Sequence, residues 1–129
     1  MTPHGAFHWN ELRTRDVAAA KAFYSDVCGW RAEDMPMPGG QGGTYTIFNN
    51  ANGPVGGMVD MTGMMPDEVP AHWAAFVAVD DVDAAVAKAE SGGGKVLMAA
   101  FDVPDVGRIA IVEDPAGAPI GIMTPAPQG

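Results

Sequence analysis

The sequence predicts an α+β fold made of two consecutive βαβββ modules, because one pattern of residues occurs twice. An offset of 65 positions, with no gap, places Asp16 on Asp81, Gly29 on Gly94 and Pro54 on Pro119. Strand-like alternation and helix-like spacing of apolar residues follow in the same order in both halves. With 129 residues, the chain is long enough to bury a core as a single domain, 1–129. We expect module one at about 7–61, a linker at 62–70 and module two at about 71–124.

The first module is delimited by helix caps and turns. After a loose leader at 1–6, Asp16 is a good N-cap for a helix and Gly29 ends it. The Pro/Gly-rich segment 35–43 is too irregular to form an element. We predict strands at 7–14, 30–34, 45–48 and 55–61.

The second module repeats this plan. Asp81 caps a helix that extends to about Ala89, where SGGG breaks it. Segment 102–107 is predicted as a loop, and the tail after Thr124 as disordered. We predict strands at 72–79, 95–99, 108–113 and 119–123.

Composition restricts the classes of partner and compartment. Sixteen acidic and seven basic residues give a net charge of −9, which would repel a nucleic acid backbone and an anionic membrane surface. No apolar run approaches the roughly 18 residues that span a bilayer. Cys28 is the single cysteine, so an internal disulfide is excluded, and we predict a buried structural thiol. The N-terminus lacks an export signal, and we expect a cytoplasmic protein.

Two motifs indicate a family. Residues 9–30 read W-x-E-L-x-T-x-D-x-x-x-A-x-x-F-Y-x-x-x-x-G-W, and the second half reads HWAAFVAVDDVDAAVAKAESGGGKVL followed by DVPDVGRIAIVEDPAGAPIGI. Together they resemble the vicinal oxygen chelate superfamily, which includes glyoxalases, bleomycin-resistance proteins, fosfomycin-resistance transferases and extradiol dioxygenases. The resemblance covers 7–124. It implies a glyoxalase-like fold, in which two curved mixed sheets form a cleft, and a homodimer.

The resemblance also implies where metal-using members hold their ligands. One ligand lies seven residues before each helix-capping aspartate, where this chain has Trp9 and Ala74. A carboxylate lies seven residues after the Asp of the D-P-x-G turn, at Gly121, and the 65-residue offset gives Gly56 as its counterpart. None of these side chains binds a divalent ion. We therefore expect no metal at the family's site and no cofactor.

Two residues of the first strand are the main candidates. Alternation places Trp9 on the inner face of the sheet, as a flat wall with one N–H donor or, alternatively, as core. Glu11 shares this face, where desolvation would raise its pKa and suit it to acid/base catalysis. The alternative is a rim carboxylate held ionised by Arg13 or Arg108.

Further candidates come from the other strands. Tyr45 can donate its hydroxyl, and Arg108 can bind an anionic group. Met58 and Met123, at equivalent positions of the repeat, suit an irregular apolar ligand or serve equally well as core. The predicted ligand-binding residues are Trp9, Glu11, Tyr45, Met58, His72, Phe76, Arg108 and Met123.

Three functions are compatible with these features. The first is metal-independent binding of a small organic molecule, as in the bleomycin-resistance type. The second is a lyase, isomerase or hydrolase that uses Glu11 as acid/base or an unconventional metal site of His72, Glu11 and Asp60. The third is a dimerising interaction module with a vestigial cleft. Exposed apolar sheet edges lead us to expect a homodimer in each case.

Overall fold

The computed structural model describes residues 3–37, 43–104 and 106–126, and it contains the predicted order of elements twice. The first module consists of β1 (Phe7–Thr14), α1 (Val17–Cys28), β2 (Arg31–Pro36), β3 (Thr44–Asn50) and β4 (Gly53–Asp60). The second consists of β5 (His72–Ala78), α2 (Val82–Ser91), β6 (Lys95–Val103), β7 (Gly107–Glu113) and β8 (Pro119–Pro125). The α+β class and the tandem βαβββ order are confirmed.

Several predicted boundaries are too short. β6 continues to Val103, into the segment predicted as a loop, and β8 continues to Pro125, into the predicted tail. α2 ends at Ser91 rather than at Ala89. Residues 38–42 of the predicted Pro/Gly loop and the last three residues of the tail lie outside the described residues. Among the residues described, neither helix has the length and apolar character needed to cross a bilayer.

The chain forms two compact units whose limits differ from those of the modules. One unit is Trp9–Ala74, and the other combines Met1–His8 with Ala75–Gly129; we call them the 9–74 unit and the 75–129 unit. The predicted loose leader is wrong for its described residues. The Gly5 amide donates to the Ala78 carbonyl at 2.7 Å, and the Ala78 amide donates to the Ala6 carbonyl at 2.8 Å. The leader is thus held by the end of β5.

In the 9–74 unit, α1 covers one face of strands ordered β2-β3-β4-β1. β1 and β4 are parallel, and the other neighbours are antiparallel. The core contains Leu12, Phe48 and Met58, against which the helix residues Val17, Ala20 and Tyr24 pack. These residues define which face of each strand is turned toward the helix.

Both ends of α1 follow the predicted chemistry. The Asp16 carboxylate accepts a hydrogen bond from the Ala19 amide at 3.0 Å, and Gly29 adopts φ 71°, which favours glycine. The prediction that Cys28 is buried is wrong, since its side chain is exposed. The helix contacts the core last through Tyr24, and Cys28 follows it by a full turn.

The 75–129 unit repeats this arrangement with strands ordered β5-β8-β7-β6. β5 and β8 are parallel, while β7 is antiparallel to both β6 and β8. α2 covers one face, and the buried cluster between helix and sheet contains Val82 of α2 with Ala110, Val112 and Ile122 of the strands. The Asp81 carboxylate accepts from the Ala84 amide at 3.2 Å, as predicted for an N-cap.

A β-bulge in β4 changes the relation between the two modules. Asn49 pairs with Pro54, but Phe48 pairs with Gly56, so Val55 is an extra residue. Beyond the bulge, β1 and β4 bring Glu11 opposite Gly57. In the other unit, β5 and β8 bring Phe76 opposite Gly121. The repeat offset is therefore 65 residues before the bulge and 64 after it.

This shift corrects two predicted equivalences. The counterpart of Gly121 is Gly57 rather than Gly56. The counterpart of Met58 is Ile122 rather than Met123, and both Met58 and Ile122 lie in the clusters beneath the helices. A one-residue shift reverses the face of every following side chain.

Candidate functional site

The face of the 9–74 sheet that is turned away from α1 carries a group of polar and aromatic side chains. Leu12 of β1 faces the helix, so alternation turns Trp9, Glu11 and Arg13 to the opposite face. Phe48 of β3 likewise faces the helix, and Tyr45 lies on the opposite face. The predicted orientations of Trp9 and Glu11 agree with this arrangement, and Tyr45 lies on the same face.

These four side chains form one hydrogen-bonded network. Trp9 Nε1–H donates to Tyr45 Oη at 2.9 Å, and Tyr45 Oη–H donates to Glu11 Oε1 at 3.0 Å. Arg13 Nε–H donates to Glu11 Oε2 at 3.0 Å. Each carboxylate oxygen thus has a donor, and the side chain of Glu11 is 16% exposed. Of the two arginines predicted as partners of the Glu11 carboxylate, Arg13 and Arg108, it is Arg13 that pairs with it.

Tyr45 reaches Glu11 by lying across a glycine. A Cβ atom added at Gly57 would overlap the Tyr45 hydroxyl and ring. Gly57 is opposite Glu11 in the β1–β4 register, so the phenol spans the space above the glycine and ends at the carboxylate. The position that corresponds to Gly121 in the repeat is therefore filled by an aromatic ring from the neighbouring strand.

Burial and charge keep Tyr45 protonated. Its pKa is raised, first because burial disfavours the phenolate and second because the negative charge of Glu11 lies next to it. The Trp9 hydrogen bond opposes this change but does not cancel it. A protonated phenol is the form that can donate to Glu11, so the direction of the hydrogen bonds is fixed across the neutral pH range.

The 75–129 unit has an apolar counterpart of this arrangement. Phe76 is 4% exposed, and its ring covers Gly121, where an added Cβ would overlap it. Met123 is 3% exposed and alternates with Ile122, which faces α2. The predicted residues Phe76 and Met123 therefore lie on the face turned away from the helix.

Two predicted ligand-binding residues, Met58 and Arg108, lie on the helix side of their strands instead of the inner face. Met58 is 1% exposed and packs beneath α1, because the bulge at Val55 reverses the alternation of β4. Arg108 shares its face with Ala110, which packs beneath α2.

The guanidinium of Arg108 already has two carboxylate partners. Its Nε and Nη2 atoms each donate to Asp83 at 3.1 Å, and Nη1 lies 3.2 Å from Asp102. These partners raise the pKa of Arg108, with the Asp83 hydrogen bond contributing most. Arg108 is thus a neutralised helix-side residue rather than an anion-binding residue on the inner face.

His72 and Asp60 have local partners. His72 Nδ1 lies 2.8 Å from the Pro70 carbonyl, and Asp60 accepts from the Thr62 amide at 2.9 Å. The Thr62 hydrogen bonds lower the pKa of Asp60. Within the described part of the chain, no three His, Cys, Asp or Glu side chains converge as metal ligands, so His72, Glu11 and Asp60 do not form the alternative site.

The family's metal does not fit the positions implied for it. With the register corrected, these positions are Trp9, Gly57, Ala74 and Gly121. Indole, methyl and hydrogen side chains supply no oxygen, nitrogen or sulfur ligand for a divalent ion. The rings of Tyr45 and Phe76 cover the two glycines, so the space of a carboxylate side chain is taken.

Gly57 and Trp73 are residues of this unit that the sequence does not single out, whereas Arg13 is predicted only as a partner of Glu11. Arg13 shares the face of Glu11 by simple alternation, and Gly57 is found only through the bulge. Trp73 lies on the α1 side of the sheet, where its ring contacts Tyr24 and Trp30 with centroid distances of 5.5 and 6.1 Å. A cavity of about 380 Å³ borders this aromatic cluster.

Comparisons with known proteins identify relatives along most of the chain. A mycobacterial protein named "Putative glyoxylase CFP32" (Mycobacterium tuberculosis) is 42% identical over 118 residues, which are 92% of this chain and 45% of the relative. The anthracycline biosynthesis protein DnrV of Streptomyces peucetius is 35% identical over 134 residues, with 92% of this chain and 46% of DnrV covered. The chain thus spans a little under half the length of these relatives.

The fold and the family model agree with these relatives. Methylmalonyl-CoA epimerase from Mycobacterium tuberculosis superposes with a TM-score of 0.63 at 18% identity, over 95% of this chain and 89% of the epimerase. That likeness shows the fold alone. The model of the Glyoxalase/Bleomycin resistance protein/Dioxygenase superfamily matches residues 6–122. The chain belongs to this superfamily, as the motif at residues 9–30 and the motif of the second half predict.

Proposed function

We propose that this protein binds a small organic molecule without the superfamily's metal, on the face formed by Trp9, Glu11, Arg13 and Tyr45. The network of these four side chains carries the proposal. It occupies the two metal-ligand positions of the first module with the indole of Trp9 and with a phenol that lies over Gly57. A binding face of this kind combines flat aromatic surface with one oriented charge.

The composition of this face supports binding rather than a packed core. Trp9, Glu11 and Tyr45 are partly exposed, while Arg13 beside them is 6% exposed, as is Leu12 on the other face of β1. A carboxylate that only closed a core would be costly to bury, even with Arg13 beside it. The names of the Streptomyces relatives associate those proteins with anthracycline biosynthesis, which accords with a role in handling an organic molecule.

A ligand screen by thermal stabilisation, in the presence of a chelator, tests the proposal. A bound compound should raise the melting temperature of the protein, and Trp9→Ala should abolish this increase. Trp73→Ala is the matched control, because Trp73 lies on the α1 side of the same unit. Stabilisation that needs an added divalent ion, or that Trp73→Ala abolishes while Trp9→Ala leaves it unchanged, would contradict the proposal.

General acid/base catalysis by Glu11 is a second candidate function. Glu11 lies on this face with Tyr45 donating to Oε1 and Arg13 donating to Oε2, so a proton taken from a substrate would reside on the Glu11 carboxylate itself. With a substrate found by the screen, Glu11→Gln should reduce kcat by at least about 100-fold if Glu11 transfers a proton. Unchanged turnover in Glu11→Gln, with binding retained, would leave Glu11 as a binding residue only.

A further inference from the structure

We infer that this site selects ligands that donate a hydrogen bond, namely aromatic compounds with a neutral hydroxyl or amino group, and disfavours ligands that present a carboxylate or phosphate. This inference rests on the proposed function and specifies its ligand class. It follows from the direction of each hydrogen bond in the network and from the number of donors that each side chain has.

The donors of the two aromatic side chains are already used. An indole has one N–H, and that of Trp9 is directed to Tyr45. A phenol has one O–H, and that of Tyr45 is directed to Glu11. A ligand that needs donors, such as a carboxylate, therefore finds none on either ring while the network is intact.

The acceptors at Glu11 are only half used. A carboxylate has about four lone-pair sites, and the hydrogen bonds from Tyr45 and Arg13 occupy one on each oxygen of Glu11. The remaining lone pairs lie on a side chain that is 16% exposed. The Arg13 side chain is 8% exposed, so little of its positive charge is presented outward. What the network presents to a ligand is thus an acceptor.

The charge of the whole chain acts in the same direction. A net charge of −9 lowers the local concentration of anionic ligands relative to that of neutral or cationic ligands. The rings of Trp9 and Tyr45 add a surface on which a planar apolar framework can stack. Together these features define a flat molecule with a donor group at its edge.

A matched series of naphthalenes tests the inference. The probes are 2-naphthol (a neutral donor), 2-methoxynaphthalene (no donor) and 2-naphthoate (an anionic acceptor). Binding is measured by titration with detection of the tryptophan indole N–H signals by NMR, with Trp9 assigned through Trp9→Phe. We expect 2-naphthol to bind about tenfold more tightly than 2-methoxynaphthalene, as for one hydrogen bond to a charged group, and 2-naphthoate to bind most weakly.

Two variants make the origin of this order visible. Glu11→Gln should reduce the preference for 2-naphthol to about twofold or less, because the amide is both donor and acceptor. Tyr45→Phe keeps a ring over Gly57 but releases the Trp9 N–H, so 2-naphthoate should gain affinity relative to the wild type. Circular dichroism of each variant verifies its folding, and the Tyr45→Phe result stands even where Glu11→Gln does not fold.

The outcomes separate this inference from the proposed function. If the Trp9 signal shifts but the three probes bind equally, or 2-naphthoate binds most tightly, the ligand class is wrong and the proposed binding face stands. Binding that leaves the Trp9 signal unmoved, or no binding of any probe, would overturn both.

Discussion

At the scale of single residues, Gly57 determines whether the Trp9–Tyr45–Glu11 connection can exist. The Tyr45 phenol lies where a Cβ of residue 57 would be, so Gly57→Ala must displace the ring. We expect a loss of about 1–3 kcal/mol in the free energy of unfolding, as for overpacking, and a shift of the Trp9 indole N–H signal. Urea unfolding and NMR provide the two measurements.

Gly121→Ala and Tyr45→Ala are the controls for this prediction. Gly121→Ala overlaps Phe76 in the other unit, so it should destabilise the protein without moving the hydrogen bond of Trp9. In a Tyr45→Ala background, Gly57→Ala should cost much less, because the ring is gone. Additive effects of the two substitutions would show that Tyr45 does not lie over Gly57.

The protonation of Tyr45 gives a second prediction at this scale. Its pKa is raised in the folded state by burial and by Glu11, above the value of about 10 expected for an unfolded chain. The corresponding stability is present below pH 10 and is lost as pH rises toward the folded-state pKa, because only the unfolded chain releases the proton there. The free energy of unfolding should therefore fall above about pH 10. Tyr45→Phe should reduce this fall, and equal slopes for both proteins would contradict the prediction.

The sequence predicts the face of a strand residue well only where the strand is regular between that residue and one whose orientation is known. Trp9 and Glu11 are placed correctly, because alternation is counted within one regular strand whose helix-facing residue is Leu12. Met58 is misplaced, because the count passes through the bulge at Val55. The ring of Tyr45 over Gly57 is a side-chain position that no alternation pattern contains.

At the scale of elements, the two helix N-caps are the most predictable features. Asp16 and Asp81 each accept from the backbone amide three residues ahead. We expect Asp16→Ala and Asp81→Ala to reduce the free energy of unfolding by about 1 kcal/mol each. Asp26→Ala is the matched control: its carboxylate lies in the last turn of α1, where a negative charge is unfavourable, so its removal should cost nothing. Thermal and urea unfolding measure these differences.

Strand ends are less predictable than caps. Caps depend on one side chain and its own backbone, whereas a strand continues as far as a neighbour pairs with it. β6 continues through the predicted loop to Val103 because β7 pairs with it there, with Val103 opposite Gly107. β8 likewise reaches Pro125, which is also opposite Gly107. Partner strands distant in sequence set these limits.

At the scale of the whole molecule, the repeat predicts the order of elements but not the compact units. The modules follow the duplicated sequence, while the segment before Trp9 belongs with 75–129. The cause is backbone pairing of Gly5 and Ala6 with Ala78, which uses backbone groups that every residue except proline possesses, so no sequence pattern marks it. The superfamily was nevertheless predictable, because its motifs depend on capping and turn residues within each module.

The association state is the remaining prediction at this scale, and we expect a homodimer. β6 is the outer strand of the β5-β8-β7-β6 set, and its Leu97 and Phe101 side chains are 47% and 41% exposed. Exposed apolar side chains on an edge strand favour association with a second copy. Light scattering should give twice the chain mass of 13.4 kDa at micromolar concentration.

Substitutions on this edge locate the contact. Combined replacement of Leu97 and Phe101 by Lys should give a monomer with unchanged circular dichroism, because a charge on the edge opposes burial against a second chain. Phe23→Lys is the matched control, since Phe23 is 56% exposed but lies on α1 of the other unit. If Phe23→Lys dissociates the dimer and the β6 replacements leave it intact, the contact lies on α1 instead of β6. A monomeric wild type would refute the dimer itself.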